Sequence, residues 1–155
     1  MVMKQLSQLL KAINVVKIVG DTNCQVSEIV SDSRKAVDSS MFVAVRGVNV
    51  DSHQYIPQLS GKGLAAIVCE KLPEQLDESV TYVQVENSAI ALGQLASQWW
   101  DNPSTKLKLV GITGTNGKTT TATLSYDLFS SLGYCCGLIS TIVNKIADKN
   151  FPTER

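Results

Sequence analysis

Ten consecutive residues, Gly111-Ile112-Thr113-Gly114-Thr115-Asn116-Gly117-Lys118-Thr119-Thr120, have the types and spacing to hold a polyphosphate. Glycines let a backbone turn tightly and aim several N–H groups at one anion, and a helix beginning there adds the positive end of its dipole. Lys118 can then reach β- and γ-phosphates, and the Thr119 hydroxyl is placed to hold a magnesium ion. The spacing departs from the common G-x-x-x-x-G-K-[ST] pattern. Counting back from Gly117 puts Ile112 at the first position and Gly111 one residue too early, so Gly114 has to supply the flexibility. The alternative is a chance strand, turn and helix with a lysine after glycine. Nucleotide phosphate binding is the expectation, with Gly114, Thr115, Asn116, Gly117, Lys118, Thr119 and Thr120 as the binding set.

Such a loop works only if regular elements hold it. The apolar run 107–112 reads as a buried strand leading into it, and 121–132 reads as the helix leading out, with Leu124, Leu128 and Leu132 on one face. A second strand over 134–141 completes the opening βαβ of a parallel P-loop sheet. A sheet of that kind needs further strands to bury both faces, so the chain reads as the N-terminal part of a longer enzyme. Asp101-Asn102-Pro103-Ser104-Thr105 is turn-rich and marks a domain boundary, giving domains 1–103 and 104–155.

The first domain reads as a small α/β unit. An amphipathic helix is predicted over 4–13, strands over 26–30 and 41–45, and a helix around 53–60 ended by Gly61 and Gly63. Strands over 65–69 and 81–85 follow, then a helix over 88–100, capped by Asn87 or Ser88, with Ile90, Leu92, Leu95, Ala96 and Trp99 inward. The fold class is therefore α/β throughout, a small substrate-type domain before the truncated start of a P-loop domain.

Composition narrows the function. With 14 basic and 14 acidic residues the formal net charge is zero, which gives no reason to expect nucleic acid or an anionic membrane as partner. Apolar residues make up 44% of the chain, enough for a globular core. No run is long enough to cross a bilayer and the N-terminus lacks the pattern of a signal peptide, so a cytoplasmic protein is expected. Cys24, Cys69, Cys135 and Cys136 show no C-x-x-C spacing and are read as structural, the last three as small hydrophobes in apolar runs. Lys4, Lys11, Lys17 and Lys35 read as solvated surface, Trp99 and Trp100 as packing residues. His53, the single histidine, reads as a satisfied residue at a helix start rather than a catalyst.

Ser31-Asp32-Ser33-Arg34 puts two hydroxyls, a carboxylate and a guanidinium in one turn after a strand. Such a turn could hydrogen-bond a polar ring or meet a diphosphate. Equally, Asp32 and Ser33 could do no more than satisfy local backbone donors.

The loop 113–120 resembles the ATP loop of the Mur ligases, enzymes that add amino acids to the peptidoglycan precursor, and most of all the branch that attaches the third residue of the peptide. Ser31-Asp32-Ser33-Arg34, Met41-Phe42-Val43-Ala44-Val45-Arg46-Gly47 and Pro152-Thr153-Glu154 fit the same family, so the resemblance runs along nearly the whole chain in order. It implies ATP and Mg2+ as cofactors, Lys118 as a catalytic group and Thr119 as a metal ligand. Ser31, Ser33, Val48, Asn49, Val50 and Arg155 become contacts to a UDP-sugar substrate. Ser52 stands where many relatives carry glycine, and the Thr-Thr pair that follows the arginine in relatives is absent here.

The implied reaction is amide formation between UDP-N-acetylmuramoyl-L-alanyl-D-glutamate and a diamino acid, meso-diaminopimelate or L-lysine, through an acyl phosphate. The protein would act as a monomer, without nucleic acid and without membrane insertion. The remaining magnesium ligands are expected beyond Arg155, so this chain should bind without turnover. Three other readings stay open: the next ligase of the same pathway, a P-loop kinase or NTPase, and a non-catalytic UDP-sugar-binding module. ATP hydrolysis without a muramoyl substrate would mark the second, and UDP-sugar affinity indifferent to Lys118 would mark the third.

Overall fold

The computed structural model describes residues 2–47, 50–147 and 149–153. It divides into two compact units, Met1–Leu107 and Lys108–Arg155. In the first, β1 (Lys4–Gln5), α1 (Leu6–Leu9) and a 3-10 turn (Leu10–Ala12) lead to β2 (Val15–Val19). Then come β3 (Gln25–Val26), β4 (Ile29–Val30), a 3-10 turn (Ser33–Lys35), β5 (Met41–Val43) and a 3-10 helix (Ser52–Leu59). β6 (Ala66–Cys69), β7 (Thr81–Val85) and α2 (Ser88–Trp99) complete it, with a last 3-10 turn at Pro103–Lys106.

The main sheet has the order β2-β7-β6-β5-β4. β4, β5, β6 and β7 run parallel, while β2 pairs antiparallel with β7 and carries a register shift between Val15 and Lys17. Alternation along the strands explains the two-sided core, because successive side chains point to opposite faces. Met41, Val43, Ala66, Val68 and Val83 join Leu6, Leu9, Ala91 and Leu95 on the helical face. Phe42, Ile67, Cys69 and Tyr82 join Ile56, Leu59 and Leu64 on the other. Parallel strands covered on both faces carry continuous apolar runs, as β5 and β6 do here.

Gly63 has a φ of +71°, disfavoured for other residues, and an added Cβ would run into the Asp38 carboxylate.

Several sequence expectations are corrected. The run 26–30 is two short strands in different sheets, because β3 pairs with β1 and only β4 joins the main sheet. The predicted first helix is a single α-turn that tightens into a 3-10 turn. α2 buries Ser88, Ala91 and Leu95, while Ile90 and Ala96 face solvent. Contact with α1 and the sheet sets that phase. Lys4 is no free surface charge, since its Nζ lies 2.7 Å from Asp101 Oδ1. Trp99 packs partly against the core, whereas Trp100 is exposed.

The second unit holds α3 (Lys118–Ser131), β8 (Gly137–Leu138), β9 (Val143–Ile146) and β10 (Lys149–Pro152). The predicted strand over 107–112 does not form, and Leu107, Leu109 and Val110 are exposed. A strand needs a neighbour for its backbone groups, and among the described residues none pairs with this run. The second predicted strand shrinks to β8, which pairs antiparallel with β9 as β9 does with β10. Leu124, Leu128 and Leu132 are all exposed, and Leu138 is the only buried apolar side chain described in this unit. Cys135, expected in an apolar interior, is exposed; Cys69 is buried, and burial pushes its thiol up to about 11.

Candidate functional site

The glycine loop opens α3. Gly117 is its N-cap with φ +76°, Gly114 has φ +147°, and neither conformation suits a residue with a side chain. The first intrahelical bond runs from the Thr121 N–H to the Gly117 carbonyl, at 2.9 Å. The amides of Lys118, Thr119 and Thr120 therefore have no acceptor within the helix, and an anion is the natural partner for such a terminus. Lys118 curls back over the loop, its Nζ donating to the Gly114 carbonyl at 2.6 Å and the Thr115 carbonyl at 3.3 Å. Its charge thus sits against the backbone of the loop. Thr119, one residue into the helix, carries a hydroxyl, a group of the kind that can ligate magnesium. Thr115 and Asn116, exposed, complete the turn. The loop suits a magnesium-bound polyphosphate. Among the described residues no cluster of three or more His, Cys, Asp or Glu could hold a metal without one.

In the first unit, the candidate substrate contacts fall at one edge of the sheet. Ser31 and Ser33 follow β4, and Val50 lies in the segment after β5; because the two strands are parallel neighbours, both segments leave the same end. Ligands in α/β sheets bind at that carboxyl end. Within the serine turn, Asp32 caps the 3-10 turn by accepting from the Arg34 N–H at 3.0 Å and holds the Arg34 guanidinium at 2.7 Å. Those bonds keep the Asp32 carboxyl down at about 2. Asp32 and Arg34 thus satisfy each other, while the hydroxyls of Ser31 and Ser33 make no hydrogen bond with the described residues. Val48, Asn49 and Arg155 lie outside the described residues.

The same sheet edge carries a polar network that spacing alone did not reveal. Asp51 Oδ1 lies 2.5 Å from His53 Nδ1, and the Glu70 N–H donates to His53 Nε2 at 2.8 Å. Glu70 accepts from the Ser88 N–H at 3.1 Å and the Ser88 hydroxyl at 3.0 Å. Arg46 reaches Asp51 at 3.4 Å and Glu70 at 3.7 Å. Backbone and side-chain bonds from His53 keep the Asp51 carboxyl below its ordinary value, and the Ser88 amide does the same for Glu70. These residues follow β5, β6 and β7 in turn, so only knowledge of the strand order brings them together.

A mostly parallel α/β sheet with polar turns at its carboxyl end, followed in the chain by a helix opening on a glycine-lysine-threonine loop, points to a phosphate-loop class of protein. Known proteins narrow the class. A family profile described as "Mur ligase family, catalytic domain" matches residues 25–100, and one described as "Mur ligase middle domain" matches residues 112–155. The chain belongs to the Mur ligase family.

Similar proteins include the UDP-N-acetylmuramoyl-L-alanyl-D-glutamate–2,6-diaminopimelate ligases of Cytophaga hutchinsonii, 51% identical over 94% of this chain, and of Bacteroides fragilis, 47% identical over 97%. The chain spans 30% and 31% of their respective lengths. Among solved structures, MurF from Acinetobacter baumannii matches with a TM-score of 0.62 and 25% identity, covering 84% of this chain and 28% of that one.

Proposed function

We propose that the protein to which these two units belong is an ATP-dependent amide ligase that joins 2,6-diaminopimelate to UDP-N-acetylmuramoyl-L-alanyl-D-glutamate. One observation carries the reading: a loop shaped for polyphosphate opens α3 in a chain whose relatives at 47% and 51% identity are named for this reaction. The first unit holds the UDP-sugar at the carboxyl edge of its sheet, with Ser31, Ser33, Val48, Asn49 and Val50 as its contacts. The second holds ATP through residues 114–120. Arg155 meets the muramoyl part.

A carboxylate resists attack by an amine because it carries charge and lacks a leaving group. Transfer of the ATP γ-phosphoryl to the D-glutamate carboxylate leaves ADP and an acyl phosphate, and attack by the amine then expels phosphate. Lys118 neutralises charge on the transferring group and the helix-opening amides orient the phosphates, a contribution of position and electrostatics. Thr119 would hold the magnesium ion, which neutralises phosphate charge when bound. The reading is of a monomeric, cytoplasmic enzyme with nucleotide-linked substrates; among the described residues no helix is long and apolar enough to cross a membrane.

Calorimetry on the 155-residue chain tests the reading. Both magnesium-ATP and UDP-N-acetylmuramoyl-L-alanyl-D-glutamate should bind, and Lys118→Ala should abolish most nucleotide affinity while leaving the UDP-sugar affinity intact. A folded chain that ignores ATP, or a Lys118→Ala variant that binds it as well as the wild type, would overturn the assignment.

A further inference from the structure

We propose that His53 is a positioning residue for the UDP-sugar site. Its ring, accepting at Nε2 and donating at Nδ1, fastens the segment after β5, at Asp51, to the carboxyl end of β6. This role rests on the reading of the first unit as the UDP-sugar-binding unit.

The geometry leaves the ring one tautomer. Nε2 accepts from the Glu70 N–H at 2.8 Å, so the proton sits on Nδ1 and is donated to Asp51. Asp51 in turn accepts from the His53 N–H at 3.0 Å, which fixes the side chain at the start of its 3-10 helix. Asp51 also pairs with Arg46, and the Gly47 N–H donates to the Val50 carbonyl at 2.9 Å. The histidine therefore links a polar turn after β5 to the backbone at the end of β6. Its side chain is only 15% exposed, so water substitutes poorly for either partner.

Glu70 has one oxygen occupied by Ser88 and the other near Arg46, and Arg46 also reaches Asp51, so none of these groups takes over the ring's bonds when the imidazole is removed. Removing the imidazole leaves the Glu70 N–H without its acceptor and should weaken UDP-sugar binding.

The test is binding of UDP-N-acetylmuramoyl-L-alanyl-D-glutamate to the 155-residue chain by calorimetry. His53→Phe should bind about tenfold more weakly than the wild type, the effect of one lost hydrogen bond. His53→Gln, whose side-chain carbonyl can accept from the Glu70 N–H, should stay within about threefold of the wild type. A folded His53→Phe variant with wild-type affinity, or a folded His53→Gln variant that binds at least about tenfold more weakly than the wild type, overturns the role of His53 while leaving the UDP-sugar reading intact. If the folded wild type binds no UDP-sugar, the reading falls and the inference with it. Should His53→Phe fail to fold, the wild type and His53→Gln decide.

Discussion

Lys118 illustrates how much one side chain can be asked to supply. Its ammonium already has two carbonyl partners, so an incoming phosphate replaces contacts rather than meeting a bare charge. Charge-assisted hydrogen bonds are worth ~1.5–3 kcal/mol each, and a tenfold rate change corresponds to about 1.36 kcal/mol. In the full-length ligase proposed above, Lys118→Ala should lower kcat/KM by one to several orders of magnitude, measured by phosphate release with all three substrates present.

Asp77 is a residue of a different kind. It accepts from the Ser60 hydroxyl, the Gly61 N–H and both the N–H and hydroxyl of Ser79. Those bonds, the Ser79 hydroxyl foremost, hold its carboxyl well below the ordinary range. The folded chain then takes up this proton less readily than the unfolded one. Its stabilisation is present above the ordinary carboxylate value of about 4 and fades as the pH falls below it. Asp77→Asn should lower Tm at neutral pH, and the gap to the wild type should narrow in acid, as thermal melts across that range would show.

Among the elements, α2 was legible and the approach to α3 was not. Asn87, one of the two capping residues the sequence offered, caps α2 by accepting from the Ile90 N–H at 2.9 Å, while Ser88 is buried and bonds Glu70. Asn87→Ala should cost ~1 kcal/mol in urea unfolding with an unchanged m-value. Strands β5, β6 and β7 could be read from their apolar runs because their burial on both faces leaves little room for polar residues. β2 was missed because it lies at the sheet's rim with its central residues exposed, so it shows no periodic pattern. The run 107–112 looked like a strand on the same apolar grounds, but composition does not supply a pairing partner. At the candidate sites, the glycine turn that opens α3 could be read because its residues are contiguous. The link from Asp51 through His53 to Glu70 could not, since Glu70 comes from another strand and its share of the bond is a backbone N–H.

At the scale of the whole molecule the two units differ in how much they hide from water. The first has two clusters of buried side chains on either face of a five-stranded sheet, whereas the described part of the second buries Leu138 alone among its apolar side chains. Local stability follows buried contacts. Hydrogen exchange should therefore find β5, β6 and β7 strongly protected and residues 118–146 exchanging much faster, with magnesium-ATP slowing exchange at 114–120. Equal protection in both units, without nucleotide, would contradict this.

The rims of the main sheet have a consequence for the chain's behaviour at high concentration. Open strand edges invite other chains to add to them, and aggregation follows. Here β4 is only two residues long, and β2 is kinked by its register shift and carries Lys17 between the exposed Val16 and Ile18. A stray strand would have to bury that ammonium and follow a bent template, so the irregular border acts as a guard against fibre growth.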